Sequence, residues 1–249
     1  MDSKKTKMTR RDVLRLGATT GAFALCRPLD GAGILFQQAH PSVKDLDHIM
    51  WGVPDLNEGI VYIKDNTGLE AIIGGVHPGR GTRNALIALG ERQYLEVLAL
   101  DPDQPDSTDE RATVLRTLNQ PRILTWIART YDIDAVDKRV REAGLESLGI
   151  EPGSRNKPDG TVLKWRSLKI GGHGNTVVPF VIEWGKDTVH PSEDSPKGCT
   201  LRELQLAHPN PGDVNPFLEA MGLSIRATEG SEPKTTAILD SPKGRVVLT

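Results

Sequence analysis

Two polar side chains able to do chemistry stand inside otherwise apolar strands: His48 in LDHIMWGVPDL and Glu96 in YLEVLAL. Strand side chains alternate between faces, so Leu46, His48 and Met50 share one face while Ile49, Trp51 and Val53 share the other. By the same count Glu96 lies with Tyr94 and Leu98. A carboxylate buried in this way costs several kcal/mol, on the order of 2–7, unless a cation or donors meet it. The pattern therefore points to a site at the centre of a sheet, with a His–Glu hydrogen bond as the purely structural alternative. Glu183 in Phe180-Val181-Ile182-Glu183-Trp184 is a third acid in an apolar run, either a site carboxylate or the partner of an arginine such as Arg129.

Other candidates surround these. The segment His77-Pro78-Gly79-Arg80-Gly81-Thr82-Arg83-Asn84 has glycines that allow a tight backbone near a ligand. His77 is the best second imidazole, as ligand or general base, and Thr82 and Asn84 are candidate substrate contacts. Arg129 falls on the face of Thr125 and Ile127, where it could clamp a carboxylate or polarise a carbonyl. Arg155 is a candidate anion contact, and Trp165 and Trp184 read as core or cleft wall. His190 and His208 stand in Pro-flanked loops and read as surface residues; His40 carries no argument. Nothing supports nucleophilic hydrolysis, because no serine sits in a G-x-S-x-G elbow and Cys199 has no base nearby in sequence.

These side chains need elements to hold them, and the chain supplies them by repetition. Gly68-Leu69, Gly144-Leu145 and Gly222-Leu223, 76 and 78 residues apart, each end a helix-like stretch with glycine as the left-handed cap. About twenty residues before each glycine comes an apolar strand: LDHIMWGV, ILTWIART and LRELQLAH, closed by Asp55, Asp132 and Asn210. Asp55 with Glu58 reads as a capping box, and Asp134 as the N-cap of the second helix. Strands are expected at about 70–76, 82–89 and 92–100, then at about 145–150, 161–171 and 177–184. The order strand, helix, three strands thus appears twice, with an abbreviated third copy ending in TTAILD and RVVLT. The polar, Pro-rich stretches 101–121 and 185–198 read as loops or linkers. The fold class is α+β: paired βαβββ units forming a curved mixed sheet with a cleft. The units span about 44–100 and 121–184 of a 44–190 domain, and a partial third unit at 199–249 packs on it, intrachain or swapped.

Composition sets outer bounds. At 249 residues the chain can hold one large domain or two small ones. With 11 aromatics and a formal charge of −2, nothing advertises nucleic-acid binding. Two cysteines, Cys26 and Cys199, allow neither a disulfide framework nor a thiolate zinc site. Charge is uneven along the chain: residues 1–24 carry six Lys or Arg against two Asp, leaving about −6 on the remainder. Leu16 to Cys26 is uncharged and too short to span a bilayer. Thr9-Arg10-Arg11-Asp12-Val13-Leu14-Arg15 resembles a twin-arginine export signal, with Val13 where such signals usually have Phe. Residues 1–39 therefore read as signal and linker, Ala22-Phe23-Ala24 offering one cleavage site. The mature protein is expected in the periplasm or outside the cell, without a membrane span; a disordered basic tail is the bland alternative.

The βαβββ repeat, with a His in its opening strand and a Glu in its closing strand, resembles the vicinal oxygen chelate superfamily, and more narrowly the glyoxalase-like domain proteins. LDHIMWGVPDL, HPGRGTRNALIALGERQYLEVLAL, SRNKPDGTVLKWRSL, VPFVIEW and the His-Pro at 190–191 carry the resemblance. It implies a divalent metal with one ligand from the first and last strand of each unit, which fall on His48, Glu96, the opening strand of unit two, and Glu183. Aligning Asp55 with Asp132 puts Thr125 opposite His48, and threonine is a poor ligand. A three-ligand open site of His48, Glu96 and Glu183 is what remains, or a two-His, one-carboxylate site once His77 or His173 is added. On this reading the protein is an exported metal-dependent lyase, isomerase or dioxygenase acting on a small oxygenated substrate, His77 or Glu183 moving the proton. Lactoylglutathione lyase activity is not expected. The alternatives are a metal-free protein that sequesters a small molecule in the same cleft, and a structural partner assembling through strand edges. A homodimer is one assembly open to it.

Overall fold

The structure, a computed structural model, describes residues 45–172 and 177–249. The segment 1–39 expected to be an export signal and linker, with Cys26, lies outside the described residues, as do His40 and His173. The first unit consists of β1 (Leu46–Gly52), α1 (Leu56–Thr67), β2 (Ile72–His77), β3 (Thr82–Gly90) and β4 (Gln93–Leu100). A helix α2 (Glu110–Arg116) precedes the second unit, which contains β5 (Arg122–Arg129), α3 (Ile133–Glu142), β6 (Ser147–Asn156), β7 (Val162–Ile170) and β8 (Phe180–Trp184). One helical turn, α4 (Pro191–Asp194), leads to the third segment: β9 (Thr200–His208), α5 (Asn215–Ala220), β10 (Thr228–Glu229), β11 (Lys234–Ser241) and β12 (Gly244–Leu248).

The helix limits follow from their caps. Asp55 accepts hydrogen bonds from the backbone N–H groups of Asn57 and Glu58 at 2.8 and 3.0 Å, and Gly68 closes α1 at φ 82°. Gly144 and Gly222 adopt the same left-handed conformation at φ 75° and 79°. For α3 the cap is Asp132, which accepts from Ala135 N, and not Asp134. Asp134 sits in the first turn, where an acid suits the helix dipole, and pairs with Arg166 at 2.9 Å.

The two units close into an eight-stranded barrel in the order β1-β4-β3-β2-β6-β7-β8-β5. β1 and β5 pair antiparallel along their length, whereas β2 meets β6 at the single pair Val76–Asn156. The central strands are buried on both faces. Ile49, Trp51, Leu95, Val97, Trp126 and Ala128 pack outward in one large core shared with the helices and the third segment. Met50, Leu98, Ile127 and Ile182 form a second, smaller cluster inside the cup. Full burial of such side chains contributes about 1.5–3 kcal/mol each, which makes the register of these strands costly to shift. The third segment adds a separate sheet in the order β10-β9-β11-β12, joined to β5 by a 2.7 Å hydrogen bond from Ile123 N to the Thr249 carbonyl.

The stretch 101–121, expected as loop, contains α2, capped by the Asp109 side chain on Arg111 N. Its charged composition concealed the helix because only Ala112 and Leu115 are buried. That helix delivers Arg111 to the mouth of the cup.

Candidate functional site

The site begins at an irregularity in β1. Leu46 stands opposite Ala128 and His48 opposite Ile127, so two residues of β1 face one step of β5. Such a bulge re-aims side chains. Leu46 turns into the outer core, away from His48, contrary to simple alternation. Asp47 joins His48 on the cup side, fully buried. Its Oδ1 lies 2.7 Å from His48 Nδ1; its Oδ2 accepts from Trp184 Nε1 at 2.9 Å and lies 3.2 Å from His190 Nε2.

The proton positions follow from the partners. Burial alone would raise the Asp47 carboxyl, but hydrogen bonds from His190 and His48 more than offset it and hold the acid ionised, well below its usual range. An ionised carboxylate only accepts, so His48 Nδ1 carries a proton toward Asp47, and Nε2 is the ring nitrogen turned toward Glu96. The backbone N–H of Ser192 donates to His190 Nδ1 at 3.2 Å, which leaves the proton of that ring on Nε2, toward Asp47. Tyr94 stacks on His48 at 4.5 Å and 16°, fixing the plane of the ring.

His48 Nε2 faces Glu96 Oε2 at 3.7 Å, and His77 Nε2 faces Glu96 Oε1 at 3.6 Å. Asn84 donates through Nδ2 to Glu96 Oε1 at 2.5 Å and accepts through Oδ1 from Arg155 Nη1 at 2.9 Å. Thr82 Oγ1 lies 2.9 Å from His77 Nδ1 and orients that ring. Burial would raise the Glu96 carboxyl; the imidazoles of His77 and His48, the Asn84 amide and Arg111 together hold it below the usual range. Burial pushes His77 down to about 4, with nearby arginines adding to the effect, so its ring is neutral at pH 7. Burial likewise raises the Tyr94 phenol well above its usual value.

The cup around these groups is small, about 40 Å³, and is walled by Trp165, Phe180, Ile182 and Trp184 from the second unit. It adjoins a larger vestibule of about 300 Å³, the two cavities sharing Met50, Arg111 and Phe180.

A glyoxalase-like domain model matches residues 46–222, well over half of the chain. The chain belongs to this family. No curated protein matches the sequence. Among solved structures, a hypothetical protein from Staphylococcus aureus is similar at TM-score 0.55 and 18% identity, over 81% of this chain and 83% of that one. Methylmalonyl-CoA epimerase from Mycobacterium tuberculosis is similar at TM-score 0.42 and 21% identity, over 60% of this chain and 92% of its own. The Streptomyces coelicolor epimerase, solved with 2-nitronate-propionyl-CoA, gives 0.41 and 23% over 55% and 95%.

The glyoxalase-like fold thus assembles part of the expected site and leaves part outside. His48, Glu96, His77, Asn84, Arg155 and Trp165 line the cup, with Thr82 directly behind His77. Glu183 does not join them. β8 directs Phe180, Ile182 and Trp184 inward, so Glu183 points outward, where its Oε2 accepts from Arg166 Nε at 2.8 Å and its Oε1 from Ile133 N at 3.3 Å. Neither the metal-ligand nor the catalytic role expected of Glu183 suits that position. Arg129 lies beyond the cup, donating to the Arg92 carbonyl at 2.7 Å, and Thr125 lines the vestibule. His190, expected at the surface, is fully buried behind Asp47. Gly81, expected to bring backbone to a ligand, instead gives room to Ser107.

The divalent metal that the family resemblance implies needs ligands from both units, and among the described residues the second unit has none to offer. Its inward positions are Thr125 and Ile127 on β5 and Phe180, Ile182 and Trp184 on β8. Glu96 Oε1 is already engaged by Asn84. Among the described residues no group of three His, Cys, Asp or Glu side chains is arranged to hold a metal ion. The four-ligand set does not fit this chain.

Asp47, His190 and Arg111 were missed by sequence reasoning. For Asp47 the signal was polarity in an apolar strand, and for His190 only the His-Pro at 190–191 that shares in the family resemblance; for Arg111 there was none.

Proposed function

We propose that this glyoxalase-like protein is an acid–base enzyme that moves a proton on a small oxygenated substrate held in the cup. The observation that carries the reading is His48 Nε2, which faces Glu96 across 3.7 Å while Nδ1 of the same ring is held by the buried Asp47 carboxylate. A hydroxyl or an acidified C–H of a ligand fits between these two groups. His48 then takes the proton at Nε2, and the imidazolium is stabilised between the Asp47 and Glu96 carboxylates. Negative charge left on the substrate oxygen faces the arginine side of the cup, Arg155 and Arg111. Return of the proton to a different atom or face completes an isomerisation; departure of a neighbouring group makes the same step a lyase reaction. His77, neutral and buried, acts as a hydrogen-bonding wall.

Proton transfer to carbon is read directly by incorporation of deuterium from D2O into a panel of small carbonyl compounds, followed by NMR. We expect incorporation with the wild type and a loss of about 10²–10⁴-fold in His48→Asn. Equal exchange in the wild type, His48→Asn and Glu96→Gln would exclude the reading. A second reading, sequestration without turnover, is supported by the apolar wall from the second unit. It predicts saturable binding to the wild type with no exchange for any bound compound. Secretion belongs to the proposal too, resting on Thr9–Arg15. It requires that Arg10→Lys/Arg11→Lys keep the protein in the cytoplasm.

A further inference from the structure

The arginines set the chemistry of the ligand. Arg155 is 4% exposed and its one hydrogen bond among the described residues goes to the neutral Asn84 amide. Arg111 stands at the junction of cup and vestibule, its guanidinium 5.3 Å from the Phe180 ring centroid. Among the described residues neither guanidinium forms an ion pair with a carboxylate; the nearby acids are committed elsewhere. Asp109 pairs with Arg80 at 3.6 Å, Glu110 with Lys169 at 3.2 Å, and Glu96 is bracketed by His48, His77 and Asn84. The cup lining therefore sets two arginines against the carboxylate of Glu96, beside a neutral His77, while the Asp47 carboxylate behind His48 is taken up by His48, His190 and Trp184. A shielded arginine without a counter-ion is costly, and a ligand anion removes that cost while gaining a forked hydrogen bond.

Volume decides the rest. At about 40 Å³ the inner cup has room for a few water-sized groups at most, each needing about 10–15 Å³ of such space, so the body of the ligand must extend outward. The vestibule that receives it is walled by Leu124, Leu148, Ile170 and Val178, with Arg122 at its edge.

We infer that the substrate is an amphipathic anion, its carboxylate clamped by Arg111 with its reactive oxygenated end in the cup and its apolar body along the vestibule. This deepens the acid–base reading and rests on it only for what happens at His48. Arg111 is thereby a specificity residue supplied by α2, outside the two βαβββ units.

Quenching of the indoles of Trp165 and Trp184 reads occupancy, with octanoate, octanol and butanoate as probes. We expect octanoate to bind at least 10-fold more tightly than octanol, with the preference weakening as salt rises. Arg111→Gln should abolish it, and Arg111→Lys should keep part of it. Leu148 is exposed at the vestibule wall, so Leu148→Asp should spare folding; it should weaken octanoate about 10-fold and leave butanoate unchanged. His48→Asn should keep the octanoate preference while losing deuterium exchange, which separates failure of the clamp from failure of the chemistry. Equal binding of octanoate and octanol by the wild type, or a preference that survives Arg111→Gln in a protein with an unchanged melt, overturns the anion clamp. Octanoate binding unaffected by Leu148→Asp overturns the vestibule assignment.

Discussion

Asp47→Asn isolates the buried carboxylate on which the site's proton inventory depends. The wild-type side chain takes three donors, from His48, His190 and Trp184, and has no solvent exposure. An asparagine offers one oxygen and one NH2, so at least one donor must face another donor. A buried unsatisfied group costs about 1–3 kcal/mol, and loss of the charge-assisted bonds adds to it, giving about 2–5 kcal/mol in all. For a domain of this size each kcal/mol is worth about 2–4 °C in Tm, so the melt should fall by about 4–20 °C. The direction with pH is fixed by the depressed carboxyl. Its stabilisation is present in full above the unfolded value of 3.8 and is lost as pH falls through the lower folded value. The Asn variant should therefore unfold with a weaker acid dependence below pH 4. If the amide NH2 turns toward His48, the proton of that ring moves to Nε2 and the base is disabled. Nitrogen-15 NMR of the histidine ring reports that switch, and deuterium exchange should drop with it. A His48 tautomer unchanged from wild type, together with a Tm within about 2 °C, would refute the placement of Asp47.

His77 should make the fold sensitive to mild acid. Its folded value of about 4 lies below the unfolded 6.5, so the unfolded chain binds the extra proton and stability falls by about 3 kcal/mol as pH drops from 6.5 to 4. Urea unfolding of His77→Gln should show a shallower slope in that window, and equal slopes would contradict the burial argument. Gly74→Ala should displace the Arg155–Asn84 pair, because an added Cβ would lie under 3.0 Å from Arg155 Nη1 and Asn84 Oδ1. A loss of about 1–3 kcal/mol and weakened octanoate binding are expected, read by thermal melt and fluorescence titration. Glu183→Gln should leave exchange intact and cost about 1 kcal/mol or less, since its partner Arg166 is 43% exposed. A large loss of exchange would return Glu183 to the site. Chelator treatment should alter neither octanoate affinity nor Tm; a drop in either, restored by a divalent ion, would show that a metal is held after all.

Much of this protein can be read along the chain because its signals are local. The Gly68, Gly144 and Gly222 caps, the Asp55 and Asp132 turns and the strand patterns are set within a few residues of themselves, and they define the repeated α+β unit. His48 and Glu96 announced themselves because a polar group in an apolar strand demands a partner. Which face of a strand fronts the cup is another matter. β8 is buried on both sides, so period-2 alternation separates Glu183 from Ile182 without saying which of them looks inward. The bulge at Asp47 arises from pairing with a strand some eighty residues away, and it places adjacent side chains on one side against the alternation rule. His190 and Arg111 come from segments whose local composition reads as linker, and only packing against the barrel carries them to the site. Local propensity therefore determined the elements and the two central polar residues. Long-range register and closure decided which acids, imidazoles and guanidiniums meet, because those depend on contacts that no short window contains.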